Sequence, residues 1–400
     1  MHPQLTNEKG LASQVAVGSH GNCEPSFAPV RAAFEQNFAA HGEVGAAVAV
    51  YHEGRLAVDL WGGLRDADLG LPWEHDTLTC MMSVSKGISA SAMAMAYDRG
   101  LVDLDAPVAS YWPAFAAAGK ERITVRQALS HVAGLPVAEN AREGDIYSFD
   151  TMAEALALQA PLWPPGSRQV YHSATLGYLI GMIIRSVTGK SIGRFIREEM
   201  AGPLGADFHI GLTSDEMARC AKVIPSAGNQ VSAAKRSPPE SIAYRSWKAL
   251  PEEEDFNSTR FRAAEIPSIN GHGTARAVAR IYGTLAMGGS LDGVTLGRAQ
   301  SFSALATEQP RGTEDDDSAR LRMGLAYMLN SPPHRPMGPH PETFGHSGAG
   351  GHMAFADPVS RLGFAYCCNR MHDGNETGVR TRSLIDSVFA CLNEKSRIQL

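Results

Sequence analysis

Two apolar strand pairs, one near each end of the chain, constrain the fold more than any other feature. Ala46–Tyr51 and Leu56–Trp61 flank the turn-prone run His52-Glu53-Gly54-Arg55, and His352–Asp357 and Leu362–Asn369 flank Pro358-Val359-Ser360-Arg361. Each pair reads as a β-hairpin. Val30, Phe34 and Phe38 recur at helical spacing before Gly42, and Leu384, Val388 and Leu392 do so near the C-terminus, so a helix accompanies each pair. Strands at both termini point to one antiparallel sheet. Between them the pattern is helical, with Thr124 as the N-cap of Val125–Ser130, then Ala174–Val187 and Ala275–Ala286. The expected class is α+β: residues 1–104 and 301–400 form an α/β lobe around a central antiparallel sheet, and 105–300 form a mostly helical lobe, with the active site at their interface.

Three stretches read as loops: 226–266, which carries Lys235-Arg236-Ser237-Pro238-Pro239 and Glu252-Glu253-Glu254-Asp255; 309–320, with Asp315-Asp316-Asp317; and 331–341, rich in proline. Long loops of this kind serve either as pocket walls or as plain surface.

Composition removes several functions. The chain is 44% hydrophobic and 20% charged, which suits an ordered core rather than disorder. A formal net charge of -6 offers no basic footprint for a phosphate backbone, so a small molecule is the expected partner, with no nucleic acid and no membrane. The start, MHPQLTNEKGLASQ, lacks the basic residues and apolar run of a secretory signal, and no apolar stretch is long enough to span a bilayer; a cytoplasmic location is the expectation. Six scattered cysteines without C-x-x-C spacing read as reduced thiols, and the 14 histidines form no H-E-x-x-H or comparable cluster, so neither metal nor cofactor is expected.

The chemistry concentrates in three segments. Cys80-Met81-Met82-Ser83-Val84-Ser85-Lys86-Gly87-Ile88 runs into Ser89–Ala96, a helix apolar or small on every face and therefore buried. Ser83 and Lys86 stand three apart on it, so hydroxyl and amine share a face. If Ser83 opens the helix, its amide points from the positive end of the dipole toward a developing oxyanion. A lysine among apolar groups loses basicity and can take the serine's proton, or as a cation it lowers a neighbouring tyrosine. Ser-x-x-Lys alone fits an ordinary N-cap and a surface lysine equally well. The second segment is Trp163-Pro164-Pro165-Gly166-Ser167-Arg168-Gln169-Val170-Tyr171-His172-Ser173, a rigid turn that delivers Tyr171 and Ser173 just before a helix. The third, Gly345-His346-Ser347-Gly348-Ala349-Gly350-Gly351, precedes a strand and lacks the spacing of a phosphate or dinucleotide loop.

In this order the three segments resemble the motifs of the penicillin-recognising serine hydrolases. The likeness is nearest to class C β-lactamases and family VIII carboxylesterases, and it extends over about 30–395, where Leu129–Pro136, Asn270–Ala275 and Phe344–Gly351 are also similar to segments of those esterases. The resemblance implies a β-lactamase/transpeptidase-like fold, Ser83 as nucleophile, Lys86 as its partner and Tyr171 as the base that also activates the deacylating water. It implies an oxyanion hole from the amides of Ser83 and Ala349, and a substrate-facing third segment with Ser173, His346 and Gly348 at the substrate. Two departures from the β-lactamase pattern favour esters: Ser173 stands for an asparagine, and His346 for the lysine that binds the β-lactam carboxylate. The expected function is a carboxylesterase. An amide-cleaving relative and a catalytically inactive binding protein of the same fold are the alternatives.

Gly189-Lys190-Ser191-Ile192-Gly193 matches the G-x-S-x-G of α/β-hydrolases, but a helix rather than a strand precedes it. Ser191 therefore reads as an N-cap.

Overall fold

Successive side chains of a strand point to opposite faces, and in strand β2 (Gly45–His52) both faces are covered, because Gly45 through Tyr51 are all buried. Ala46, Val48 and Val50 pack with Phe34, Leu384 and Val388 of the terminal helices α1 (Ala28–Ala40) and α5 (Val379–Ile398). Ala47, Ala49 and Tyr51 face the other way, into the larger core that runs through the middle of the chain.

The computed structural model describes residues 18–251, 256–310, 321–374 and 376–398. The N-terminal run 1–17, the acidic Glu252–Asp255 and the Asp315–Asp317 part of the 309–320 segment lie outside the described residues. The main sheet joins β1 (His20–Cys23), β2, β3 (Arg55–Asp66), β8 (Met328–Leu329), β9 (Phe344–Gly348), β10 (His352–Asp357) and β11 (Leu362–Cys368), in the order β1-β3-β2-β11-β10-β9-β8, with β4 (Leu71–Pro72) added to β3. Neighbours are antiparallel throughout, and Ala46 of β2 pairs with Cys368 of β11, so the two ends of the chain close on each other. Both expected hairpins are present. Their connections use left-handed backbone at Glu53, Gly54 and Arg361, which suits tight turns between twisted strands. A three-stranded sheet, β5 (Thr79–Cys80), β7 (Gly271–Gly273) and β6 (Phe208–Ile210) in that order, stands where the chain enters the nucleophile region.

Helix α4 (Ala275–Ala286), grouped by sequence with the helical lobe, lies on the sheet instead. Glycine makes the approach possible: a Cβ on Gly363 of β11 would sit 2.1 Å from the Gly283 nitrogen, and one on Gly283 would sit 2.7 Å from the Tyr51 Cβ. Segment 226–266, expected as loop, contains three short helices, Gln230–Lys235, Ile242–Arg245 and Thr259–Ala263, capped by Asn229, Ser241 and Ser258. At four to six residues each, they are too short to leave a hydrophobic period in the sequence.

Burial also sets the response to acid. His272 of β7 and His352 of β10 are buried, and desolvation lowers each to about 3. An unfolded histidine titrates near 6.5, so below that pH the unfolded chain binds more protons than the folded one. Stability is therefore full above about pH 6.5 and falls as the pH drops toward 3, by up to about 1.4 kcal/mol per pH unit for each such group. The urea midpoint followed by circular dichroism is expected to be lower at pH 5 than at pH 7, with a smaller difference in His352→Gln; equal midpoints at both pH values would show that these histidines are not neutral in the fold.

Candidate active site

Ser83 is the N-cap of helix α2 (Val84–Asp98), and its hydroxyl makes no capping bond. Backbone strain and a serine clamp hold it there. Met82 sits in the left-handed region at φ 48°, an uncommon conformation for a side chain of its size. Ser85 secures this bend by donating to the Met82 carbonyl at 2.5 Å and accepting from the Gly271 amide at 2.8 Å. From Val84 to Ala96 every residue of α2 is buried, so the helix passes through the core as its composition requires. Lys86 is fully buried one turn after Ser83, with Nζ 3.2 Å from Ser83 Oγ and donating to the Ser268 carbonyl at 3.1 Å. Ser268 Oγ in turn accepts from the Gly177 amide at 2.7 Å, on helix α3 (Thr175–Thr188), the helix that follows Tyr171.

Tyr171 is placed by a zipper between 129–136 and 169–172. Val170 N–H donates to the His131 carbonyl at 3.1 Å, His172 N–H to His131 Nδ1 at 3.0 Å, and Leu135 N–H to His172 Nε2 at 3.1 Å. His172 Nδ1 then donates to Val170 O at 2.6 Å, which fixes its tautomer. The His131 ring lies against that of Tyr171 at a centroid separation of 5.0 Å, and Lys86 Nζ lies 4.9 Å from the centroid on the Tyr171 ring. The phenol is hydrogen-bonded to the Ser83 hydroxyl, which puts Ser83 between amine and phenol.

The third segment is β9 and the turn after it. Gly348 has to be glycine, because a Cβ there would lie 2.4 Å from the Met81 carbonyl, two residues before Ser83. Gly350 and Gly351 turn the chain at φ 88° and 113°. His346 is buried, with Nδ1 2.6 Å from the Ser347 carbonyl and Nε2 3.3 Å from Tyr171 Oη. A nitrogen that close to a carbonyl carries the proton, so Nε2 accepts and the tyrosine hydroxyl donates to it. The sequence placed His346 against a substrate carboxylate; here both ring nitrogens are committed to protein groups.

Electrostatics favour neutral partners. Burial pushes the Lys86 amine well below its usual range. Burial raises Tyr171, with the Ser83 hydrogen bond acting the other way. His346 is lowered to about 3, first by burial and next by Lys86. Burial thus works against the charged form of both groups and favours the free amine of Lys86 and the protonated phenol of Tyr171.

These groups meet at a cavity of about 360 Å³ lined by Ser83, Tyr171, His346, Gly348 and Ala349. Ser173 is not among its lining residues: it stands half-buried in the turn that starts α3, where the chain has already left the cavity wall. The sequence did not single out Gln230, His334, Arg335, His372 and Glu376, which form the outer wall. Gln230, His334 and Arg335 come from the segments 226–266 and 331–341, whose proline and charge content was the available signal. Among the described residues no group of His, Cys, Asp or Glu is placed to hold a metal ion, and no helix is long and apolar enough to cross a membrane.

The family model described as Beta-lactamase matches residues 30–388. The esterase/beta-lactamase LipL of Mycobacterium tuberculosis is 34% identical over 88% of this chain and 83% of its own. A penicillin-binding protein homolog from Caulobacter crescentus superposes with a TM-score of 0.84 at 39% identity, covering 93% of this chain and 99% of the other, and a family VIII carboxylesterase does so at 0.83 and 37% with the same coverage. The chain belongs to the beta-lactamase family of serine hydrolases.

Ser191 is an N-cap, as its context requires: Oγ accepts from the Arg194 amide at 3.2 Å and donates to Glu265 at 2.7 Å. Ser83→Ala is expected to abolish both turnover and labelling by a fluorophosphonate. Ser191→Ala is expected to keep both while losing about 1 kcal/mol of stability with its cap. Intact-mass measurement after labelling checks this; survival of the adduct in Ser83→Ala would displace Ser83 as nucleophile.

Proposed function

We propose that the protein is a carboxylesterase that works through an acyl-enzyme on Ser83. The observation that carries this reading is the Ser83 hydroxyl held between a buried amine and a phenol whose own proton is drawn to a neutral histidine. Ser83 Oγ attacks the ester carbonyl carbon while its proton passes to the Lys86 and Tyr171 pair, which titrates as a unit. The amides of Ser83 and Ala349 stabilise the oxyanion, a contribution of about 3 kcal/mol per donor. Collapse breaks the bond to the alcohol oxygen, which leaves with the proton from the pair. Water then enters, gives a proton to the same pair and attacks the acyl carbon; Ser83 departs and recovers its proton.

Esters are favoured over β-lactams because the third segment supplies no permanent cation beside Tyr171, where His346 stands instead. The similarity to family VIII carboxylesterases and to LipL supports the same reading. Amide cleavage by the same machinery is the competing activity. A screen of p-nitrophenyl esters, amides and nitrocefin, with mass spectrometry of the acyl-enzyme, separates the two; faster turnover of the amides or the lactam would overturn the esterase reading, and no turnover with no adduct would favour a binding protein. The proposal includes a division into a sheet lobe built from both chain ends and a helical lobe, with Ser83 where they meet. It also places the enzyme in the cytoplasm, which its six free cysteines support and cell fractionation checks.

Tyr171→Phe removes the hydroxyl but keeps the ring between His131 and Lys86. It is expected to keep the fold and to lower kcat about a hundredfold or more on a p-nitrophenyl ester, with both burst and steady-state phases slowed. Pre-steady-state kinetics measures the two steps, and turnover within a few-fold of wild type would remove Tyr171 from the mechanism.

A further inference from the structure

Two polar side-chain atoms in residues that line the cavity over Ser83 are buried without a hydrogen-bond partner among the described residues: His352 Nδ1 and Thr377 Oγ1. His352 is 2% exposed and opens β10 opposite Gly348. The Cδ2 edge of its ring faces Gly348, 3.4 Å from where a Cβ would stand, so Nδ1 lies on the opposite edge. His372, also in the cavity wall, ties the two residues together. A Cβ on Gly351, the neighbour of His352, would lie 2.8 Å from His372 Nδ1, and one on Gly378, the neighbour of Thr377, would lie 3.0 Å from it. Backbone contacts hold this corner. Thr381 Oγ1 donates to the Gly351 carbonyl at 2.6 Å, Thr377 N–H to the His334 carbonyl at 3.2 Å, and His372 N–H to the Gly350 carbonyl at 3.2 Å.

A buried polar atom without a hydrogen bond costs free energy, and a ligand group that supplies the bond recovers it. The chemistry of that group follows from its hosts. Burial lowers His352 and His372 and so favours their neutral forms. A neutral imidazole has one donor and one acceptor, and a threonine hydroxyl has both. A carboxylate could only accept in this corner and an ammonium only donate, and either would lose hydration without meeting an opposite charge on His352, His372 or Thr377. An alcohol hydroxyl donates and accepts at once, so it suits His352 in either tautomer and the Thr377 hydroxyl in either rotamer. We propose that His352 and Thr377 form a hydroxyl-binding subsite of the cavity, and that the preferred substrates are esters that carry an alcohol hydroxyl in addition to the ester group, such as esters of short hydroxy acids or monoesters of glycols. This rests on the esterase reading of Ser83 and extends it to a substrate class.

The test uses two pairs of esters in which a methyl replaces the hydroxyl: ethyl 3-hydroxybutyrate with ethyl 3-methylbutyrate, and 2-hydroxyethyl butyrate with propyl butyrate. The first pair probes the acyl side and the second the alcohol side. Acid release in a pH-stat gives kcat/KM for wild type, Thr377→Val, Thr377→Ser and His352→Phe, with p-nitrophenyl butyrate as the activity control. Wild type is expected to favour the hydroxyl ester in at least one pair. In that pair the hydroxyl-to-methyl ratio is expected to fall roughly fivefold in Thr377→Val and in His352→Phe, and to be kept in Thr377→Ser. A ratio unchanged in Thr377→Val or in a folded His352→Phe would overturn the proposal, even with both rates reduced, because that is the mark of a structural residue; if His352→Phe does not fold, Thr377→Val decides by itself. A wild type that favours the methyl ester in both pairs, or splits none of the four, would overturn it too. If wild type left p-nitrophenyl butyrate intact as well, the esterase reading would fail and this proposal with it, whereas turnover with an unchanged ratio sinks the proposal alone.

Discussion

The site depends on one amine kept out of water. Lys86 lies on a helix with no exposed face, and such a group is tolerable only uncharged or hydrogen-bonded on every side. Its partners are a hydroxyl one turn earlier and the Ser268 carbonyl from a distant loop, so helix and loop must meet before the lysine is satisfied. The loop is held elsewhere as well: Ser89 Oγ donates to the Pro267 carbonyl, Asn270 accepts from the Ile266 amide, and Gly177 packs so close that a Cβ there would lie 2.4 Å from the Ser268 nitrogen. Ser83, Lys86 and the helix behind Tyr171 are therefore one assembly with the loop at its centre.

Low dielectric surroundings give that assembly its chemical character. Histidines 131, 172 and 346 cluster around Tyr171, all lowered by burial, and their tautomers follow from backbone partners rather than from charge. A neutral imidazole that accepts the tyrosine hydrogen bond leaves the Tyr171 oxygen available to Ser83 without placing a cation beside Lys86. A lysine at position 346 would add such a cation. The contacts among Ser83, Lys86 and Tyr171 thus form with a neutral imidazole at position 346 rather than a fixed charge.

The sheet explains how so dispersed a site is assembled. β9, which carries His346 and Gly348, is joined through β10 and β11 to β2, so the C-terminal strands stand in a sheet that the N-terminal hairpin completes. Terminal helices cover one face and α4 the other, and the glycine contact at Gly283 and Gly363 lets that helix lie close. Rigid strands bring β9 to Met81 with no room for a side chain at Gly348.

Local pattern determined much of this. The two hairpins, the buried helix of Ser83 and Lys86, the Thr124 cap, and Ser191 as a cap rather than a nucleophile were all legible, because each depends on residues within a few positions of one another. The family likeness named Ser83, Lys86 and Tyr171 together for the same reason, as three short motifs in order. Only the tertiary structure decided that α4 sits on the sheet, that Ser173 stays off the cavity wall and that His346 turns to Tyr171. Those outcomes depend on which distant backbone lies against which, as with the Ser268 carbonyl at Lys86 or the Ser347 carbonyl that sets the His346 proton, and no spacing along the chain encodes a contact of that kind.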